Sequence, residues 1–170
     1  MSKPTAEPGT VQPYVELRRA RILALIDRSP RTTAPVDPLP QERLTFLRRE
    51  AEELYWNELV WEELTDEEAI AGGHLTELVF PAFLSFVDGL LVEHVSPDSP
   101  VPARPRPDAV ERILSFLGER YATLTADLES GADSEAVVWA RAMTCQLIDL
   151  VLYRLYRLSP AERERVERSG

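Results

Sequence analysis

Apolar residues recur with the 3.6-residue period of an α-helix along most of the chain, and no segment keeps the alternation of a half-buried strand for more than a few residues. The pattern is clearest over residues 108–129, where one helical face carries a run of apolar side chains: Val110, Ile113, Leu114, Leu117, Tyr121, Leu124 and Leu128. The periodicity therefore predicts an all-α protein.

Four predicted helices are long enough to form a bundle. They cover the following ranges: 41–64, 74–95, 108–129 and 134–158. The last is apolar on most sides, so it should be the central helix, and Pro81 should kink the second or lie in its first turns. Helices of this length, joined partly by short loops, predict a four-helix-bundle-like core over residues 41–158.

The two ends of the chain have other patterns. Residues 1–12 are expected to be a disordered tail, and a proline-rich linker at 30–40 separates an N-terminal helix over 13–29 from the bundle. The apolar residues of that helix form no clean stripe, which predicts loose docking, or docking on another chain. Residues 159–170 predict a short C-terminal helix that begins at a capping box and frays, because it has almost no apolar face.

Composition limits the class of protein. A chain of 170 residues with 44% hydrophobic residues has enough apolar material for one compact domain, and its single cysteine excludes an internal disulfide. No stretch near the N-terminus has the apolar core of a secretory signal, so the expected compartment is the cytoplasm. Lys3 is the only lysine beside many arginines, a balance typical of GC-rich bacterial genomes.

The negative charge is concentrated in one part of the chain. The net charge is -10, and residues 50–99 hold thirteen acidic residues and no basic one, whereas the sequence before this segment is net positive. Nucleic acids and anionic membranes would be repelled by this charge. We therefore expect a partner protein with a basic surface, self-association, or both.

These observations favour a non-enzymatic α-helical interaction or scaffold module with an acidic binding surface. Trp56 and Val60 lie outside the main apolar arc of their helix, as expected for residues that another helix or subunit covers. The predicted partner-binding residues combine this apolar strip with nearby carboxylates: Glu52, Glu53, Trp56, Val60, Glu63, Glu67 and Glu68. In one form of self-association, the arginines of the first helix would pack on the acidic segment of a neighbouring subunit.

The alternative function is a metal-dependent hydrolase or a carboxylate-metal helical bundle. Four carboxylates fall within apolar arcs, where they would be costly if ionised and unpaired: Glu58, Glu62, Asp88 and Asp149. They could hold a divalent metal, although no Glu-x-x-His spacing accompanies them. The competing interpretation is salt bridges or hydrogen bonds to arginines of the bundle: Arg112, Arg120, Arg141 or Arg154.

Other chemistry is sparse in this sequence. There is no glycine-rich phosphate loop and no zinc-type Cys or His spacing, so no catalytic residue and no cofactor are predicted. Cys145 lies on a largely apolar helix and is expected to be a core residue rather than a nucleophile. A small-ligand pocket lined by aromatic residues is a third possibility that the sequence does not separate from a filled core; its residues would be Phe80, Phe83, Phe86 and Trp139.

Overall fold

The structure, a computed structural model, describes residues 13–26, 37–59, 77, 79–92, 104–131 and 134–168. This part of the chain is all-α and contains no strand. Its six helices are α1 (Pro13–Leu25), α2 (Gln41–Glu58), α3 (Pro81–Leu91), α4 (Pro107–Glu129), α5 (Glu135–Leu155) and α6 (Pro160–Arg168). The predicted fold class is thus confirmed, with α2 to α5 forming a four-helix-bundle-like core and α1 and α6 added to it.

The directions of the core helices follow from their cross-links. On one side of α4, Gln41 and Arg48 of α2 bond Arg112 and Glu119 respectively, so α2 and α4 run parallel. The short connection at residues 130–134 reverses the chain, so α5 returns antiparallel to α4. α3 starts beside Glu58 at the end of α2, and the carbonyl of Leu90 near its own end accepts from the amide of Arg106, just before α4. α3 is therefore antiparallel to α2, and consecutive core helices alternate in direction.

The start of α3 shows how a sequence signal sets a helix boundary. The sequence predicts a helix over 74–95, but Phe80 has non-helical dihedrals and α3 begins at Pro81, one of the two outcomes expected for this proline. Proline suits the first helical position, because the backbone N–H of that residue has no acceptor within the helix. The next two amides, of Ala82 and Phe83, donate to the carboxylate of Glu58 at 2.6 and 2.9 Å. Glu58 thus joins the end of α2 to the start of α3.

Two predicted helix ends lie too far along the chain. Leu59 leaves the helical conformation, so α2 ends at Glu58 although no glycine or proline marks that point; residues 60–64 lie outside the described residues. α5 ends at Leu155 rather than near Leu158, because Arg157 takes the left-handed conformation with φ 54°. The amide of Leu158 then donates to the carbonyl of Tyr153 at 3.0 Å, which is the long bond of a Schellman motif.

The N-terminal helix is not loosely docked. Val15, Ile22 and Ile26 are buried in the main core on one stripe of α1, at i, i+7 and i+11. This stripe is not evident in the sequence, because Arg18 and Arg19 occupy the turn between its first two members. Residues 27–29 of the predicted helix, like the tail at 1–12 and most of the linker, lie outside the described part of the chain.

The expectation that the C-terminal helix frays is wrong. Ser159 and Glu162 form the predicted capping box, in which each side chain accepts a hydrogen bond from the other residue's amide. Val166 is fully buried in the main core cluster, and the Arg163 guanidinium lies 5.4 Å from the ring centre of Tyr153. One apolar residue and the stems of long side chains are enough to seat α6.

α5 is the central helix, as predicted. Its buried residues include Leu147, Ile148, Leu150, Val151 and Tyr153. Among the described helices, α5 is also the one whose length and apolar composition would let it cross a membrane. The core helix of a folded domain meets the same two criteria, and α5 packs against α1, α3 and α4. The length and composition of α5 are therefore not, by themselves, evidence that it crosses a membrane.

Candidate functional site

Part of the predicted partner-binding surface lies on the outer side of α2. Trp56 is 51% exposed, Glu53 is exposed and Glu52 is half-buried. Val60 and three of the carboxylates predicted with them lie outside the described residues: Glu63, Glu67 and Glu68. We call Glu52, Glu53 and Trp56, together with Asp127 of α4, the acidic face.

Trp56 is held in a defined position although it is half exposed. The guanidinium of Arg120 on α4 lies 4.5 Å from its ring centre, and the ring meets Tyr55 edge-on with centroids 5.1 Å apart. Asp127 is exposed two turns beyond Arg120 on the same face of α4. The acidic face therefore presents an immobilised indole, with one ring face covered by a cation, among carboxylates.

The charges around Trp56 are only partly compensated. Arg48 bonds Glu52 at 3.3 Å and Glu119 at 2.6 Å. Neither α2 nor α4 has a basic residue in its last turn, where a helix carries partial negative charge. Within the described ranges, Glu53 and Asp127 make no ion pair. Because α2 and α4 run parallel, both uncompensated helix ends lie at the same end of the bundle.

Of the carboxylates predicted to lie inward, Asp149 is mostly buried and Glu58 is half-buried, but Asp88 is exposed, so its predicted inward position is wrong. All three contact arginines or backbone amides. Asp88 accepts a hydrogen bond from Arg154 at 2.8 Å, and Asp149 accepts one from Arg18 at 2.8 Å. Glu58 caps α3, and Glu62 lies outside the described residues. No group of three His, Cys, Asp or Glu side chains able to hold a metal occurs in the part of the chain that the structure describes.

The partner of Asp149 differs from the arginines that the sequence suggested. Arg18 comes from α1, which is 131 residues away in sequence, and the two side chains are only 15% and 18% exposed. Next to it, Arg19 forms a two-pronged pair with Glu111 at 2.6 and 2.9 Å and donates to the Tyr156 hydroxyl at 2.9 Å. Within one chain, Arg18 and Arg19 thus meet carboxylates of α5 and α4 rather than the acidic segment at 50–99.

A thiol and a phenol complete this polar cluster between α1 and α5. The Tyr14 hydroxyl and the Cys145 sulfur are 2.7 Å apart. Burial raises the pKa of the Cys145 thiol, and burial together with the nearby Asp149 raises the pKa of Tyr14. Both groups therefore stay protonated near neutral pH, and Cys145 lacks the thiolate that a nucleophile needs. The contacts of this cluster join α1 to α5.

Burial also raises the pKa of Asp149, because its desolvation outweighs the attraction of Arg18. The pKa of Tyr153 rises to about 12, again chiefly through burial, with Asp149 adding to the effect. Because desolvation offsets much of the attraction between buried charges, the presence of this ion pair is weak evidence for net stability.

A groove lies beside the start of α1. Its volume is about 250 Å³, and it follows the face of α4 beyond the point where α1 begins. Two tyrosine rings, 4.5 Å apart, form one wall, and small residues form the floor; the lining comprises Tyr14, Gly118, Tyr121, Ala122, Thr125, Ala126 and Glu129. Arg141 fixes the wall by donating to Thr125 at 2.9 Å and to Tyr121 at 3.2 Å.

This groove is not the aromatic pocket that the sequence suggested. Phe80 and Phe83 are fully buried against each other, and Phe80 stacks on Tyr55 with ring centroids 5.6 Å apart. Phe86 and Trp139 pack at the edge of the core. The four aromatic residues thus belong to a filled core, whereas the groove arises from small residues on α4 and was missed.

The sequence offered one signal for the groove, which is the series Gly118, Ala122 and Ala126 at four-residue spacing on the most regular helix. It offered none for the cluster of Tyr14, Cys145 and Asp149, because those residues are distant in sequence. No protein-family model, no curated protein and no solved structure matches this chain.

Proposed function

We propose that this protein is a non-enzymatic interaction module whose acidic face binds a partner protein with a basic surface. The observation that carries the proposal is Trp56, a large aromatic side chain that is 51% exposed yet fixed in place by Arg120 and Tyr55. Tryptophan is among the residues most enriched at the energetic centres of protein interfaces. A fixed ring loses little conformational entropy on binding, so its burial contributes to affinity.

The charge of the partner follows from the surroundings of Trp56. Glu53 and Asp127 are exposed, and the parallel C-terminal ends of α2 and α4 add partial negative charge without a basic residue in either last turn. A basic surface would neutralise this field and would be steered toward it during encounter. The metal-dependent hydrolase has no comparable support, since three of its predicted ligands, Glu58, Asp88 and Asp149, contact arginines or backbone amides.

Selection of short random peptides displayed on phage tests the proposal, with the full-length chain as bait. We expect the enriched peptides to combine arginine or lysine with apolar residues. Their affinity should fall at least about tenfold with Trp56→Ala, the loss typical of a central interface residue. Glu53→Arg should weaken binding further by reversing the local charge.

Phe46→Ala is the matched control, because Phe46 is a similarly exposed aromatic residue at the opposite end of α2. It should leave affinity unchanged. Enrichment of acidic or uncharged peptides, or equal binding by the wild type and Trp56→Ala, would contradict the proposal. Raising the salt concentration should also weaken binding, because exposed charges are screened.

A further inference from the structure

The outer surface of α1 carries an exposed leucine next to the groove. Leu17 is 64% exposed, and it lies three residues after Tyr14, whose ring forms part of the groove wall. Residues three apart on a helix are neighbours, so the exposed side chain and the cavity lie side by side on one surface. This arrangement joins an apolar protrusion to an apolar depression within the same patch.

We propose that two copies of this chain associate about a two-fold axis, with Leu17 of each copy inserted into the groove of the other. A two-fold interface uses the same patch on both subunits, so a protrusion beside its complementary depression is satisfied twice. The size of the groove agrees with this occupant. At about 250 Å³ it lies below the range of roughly 300 to 1,000 Å³ that holds a small-molecule ligand, but it admits one side chain.

The register of the helices brings opposite charges together in this dimer. Within one chain α1 runs antiparallel to α4, since Tyr14 lies near Tyr121 and Arg19 pairs with Glu111. When the two copies of α1 are antiparallel to each other, the partner's α1 runs parallel to α4. With the partner's Leu17 over Ala122, the partner's Arg21 lies about 6 Å further along, which is the rise of four helical residues.

That position is beside Ala126 and Glu129, one and two turns beyond Ala122. Glu129 is exposed and makes no ion pair in the ranges that the structure describes. Arg21 is half-buried and makes no ion pair within the same ranges. The partner's Arg21 and Glu129 would then form an ion pair, twice in the symmetric dimer.

The interface is small, so the dimer is weak. Each copy would contribute one helix face and the wall of one groove, and we expect this contact to bury less than the roughly 800 Å² per partner of a standard stable interface. We therefore expect dissociation in the micromolar to millimolar range. The proposed dimer uses the side of α4 that packs against α1, whereas the acidic face lies on the side that packs against α2. The dimer proposal therefore does not rest on the proposed function.

Sedimentation equilibrium of the full-length chain over micromolar to millimolar concentrations tests the dimer. The wild type should pass from monomer to dimer. Leu17→Ala should weaken association at least tenfold, and Ala126→Leu, which fills the groove at an exposed helical position, should do the same. Leu23→Ala is the control, because Leu23 is a leucine of α1 that is 42% exposed on another face and should leave dimerisation unchanged.

Charge reversal tests the register. Arg21→Glu and Glu129→Arg should each weaken the dimer, and the double variant should restore it. A chain that stays monomeric at millimolar concentration overturns the proposal. So does a dimer that is indifferent to Leu17→Ala and Ala126→Leu, or charge variants that do not rescue each other. Thermal melts confirm that each variant is folded, and Trp56→Ala should dimerise like the wild type.

Discussion

α1 and α2 both pack along α4, yet different interactions hold them. α2 presents an unbroken apolar stripe of Leu44, Leu47, Ala51 and Tyr55, with one buried polar contact at 2.8 Å between the hydroxyls of Tyr55 and Thr144. The stripe of α1 is interrupted by Arg18 and Arg19, which are neutralised by carboxylates on α5 and α4. An apolar stripe stabilises whatever packs on it, whereas ion pairs of fixed geometry accept only the matching surface.

The largest loss of stability should come from a substitution in the apolar stripe of α2. Replacing Tyr55 by alanine removes a fully buried ring that contacts Phe80 and Phe116. We expect a loss of about 3 to 5 kcal/mol in the free energy of unfolding, as for other large aromatic core residues. Urea denaturation measures it. Phe46→Ala on the exposed side of the same helix should change stability by less than about 0.5 kcal/mol, and equal losses would show that α2 is not packed as described.

A smaller loss is expected when the ion pair of α1 is broken from one side. Arg18→Ala leaves the carboxylate of Asp149 buried without its cation, which should cost about 2 to 3 kcal/mol, below the 3 to 5 of a fully buried pair because both groups retain some exposure. Hydrogen exchange should show α1 opening before α2. Arg43→Ala is the control, since Arg43 is exposed on α2, and a variant as stable as this control would mean that the pair contributes nothing.

Removing both partners should have much less effect than removing one. In the double variant Arg18→Met with Asp149→Leu, no charge is left unpaired and the apolar area of the interface increases. We expect stability within about 1 kcal/mol of the wild type, or higher. A double variant as unstable as Arg18→Ala would indicate that the pair itself stabilises α1, and would remove the distinction between stability and specificity.

The pH dependence of the free energy of unfolding tests the raised pKa of Asp149. Its pKa is raised by burial above the ordinary 3.8, so the folded protein holds this proton more tightly than the unfolded chain does. The resulting stabilisation is complete below the unfolded pKa and is lost as pH rises through the folded pKa. Asp149→Asn should therefore abolish a fall in stability that begins near pH 3.8. Denaturant midpoints measured across this pH window give the change of stability with pH. If Asp149→Asn leaves that change as it is in the wild type, other carboxylates cause it.

The smallest effect should be at the capping box of α6. Ser159→Ala removes the acceptor for the amide of Glu162 and should lower stability by about 1 kcal/mol. Thermal melts would detect this difference. Ser85→Ala, at an exposed position within α3, is the matched control and should not destabilise the protein, because alanine is the better helix former. Equal melting temperatures for the two variants would show that α6 contributes little to the fold.

Local patterns predicted much of the fold. Both boundaries of α4 and the start of α6 were correct to within one residue, because proline at the first helical position and the caps are read directly from sequence. Pro81 was correctly identified as a boundary or kink, since Phe80 interrupts the predicted helix while Glu77 and Val79 before it are helical. The seating of α1 and α6 was missed, since Val166 and the stripe of Val15, Ile22 and Ile26 are too sparse to stand out among charged neighbours.

The candidate site was predicted less completely. The exposure of Trp56 and Glu53 follows from their place outside the apolar arc of α2, so the periodicity alone indicated them. The groove was not predicted, because it depends on where α1 stops along α4. The partner of Asp149 was not predicted either, because 131 residues separate it from Arg18.

By itself, the sequence determined the all-α class, the order of the helices and the concentration of acidic residues in one segment, because each depends on residues close together in the chain. Only the tertiary structure decided which charges meet, where α1 packs and which side chains line the groove beside it. Those outcomes depend on the direction and register of helices that are distant in sequence, and short-range periodicity carries no information about either.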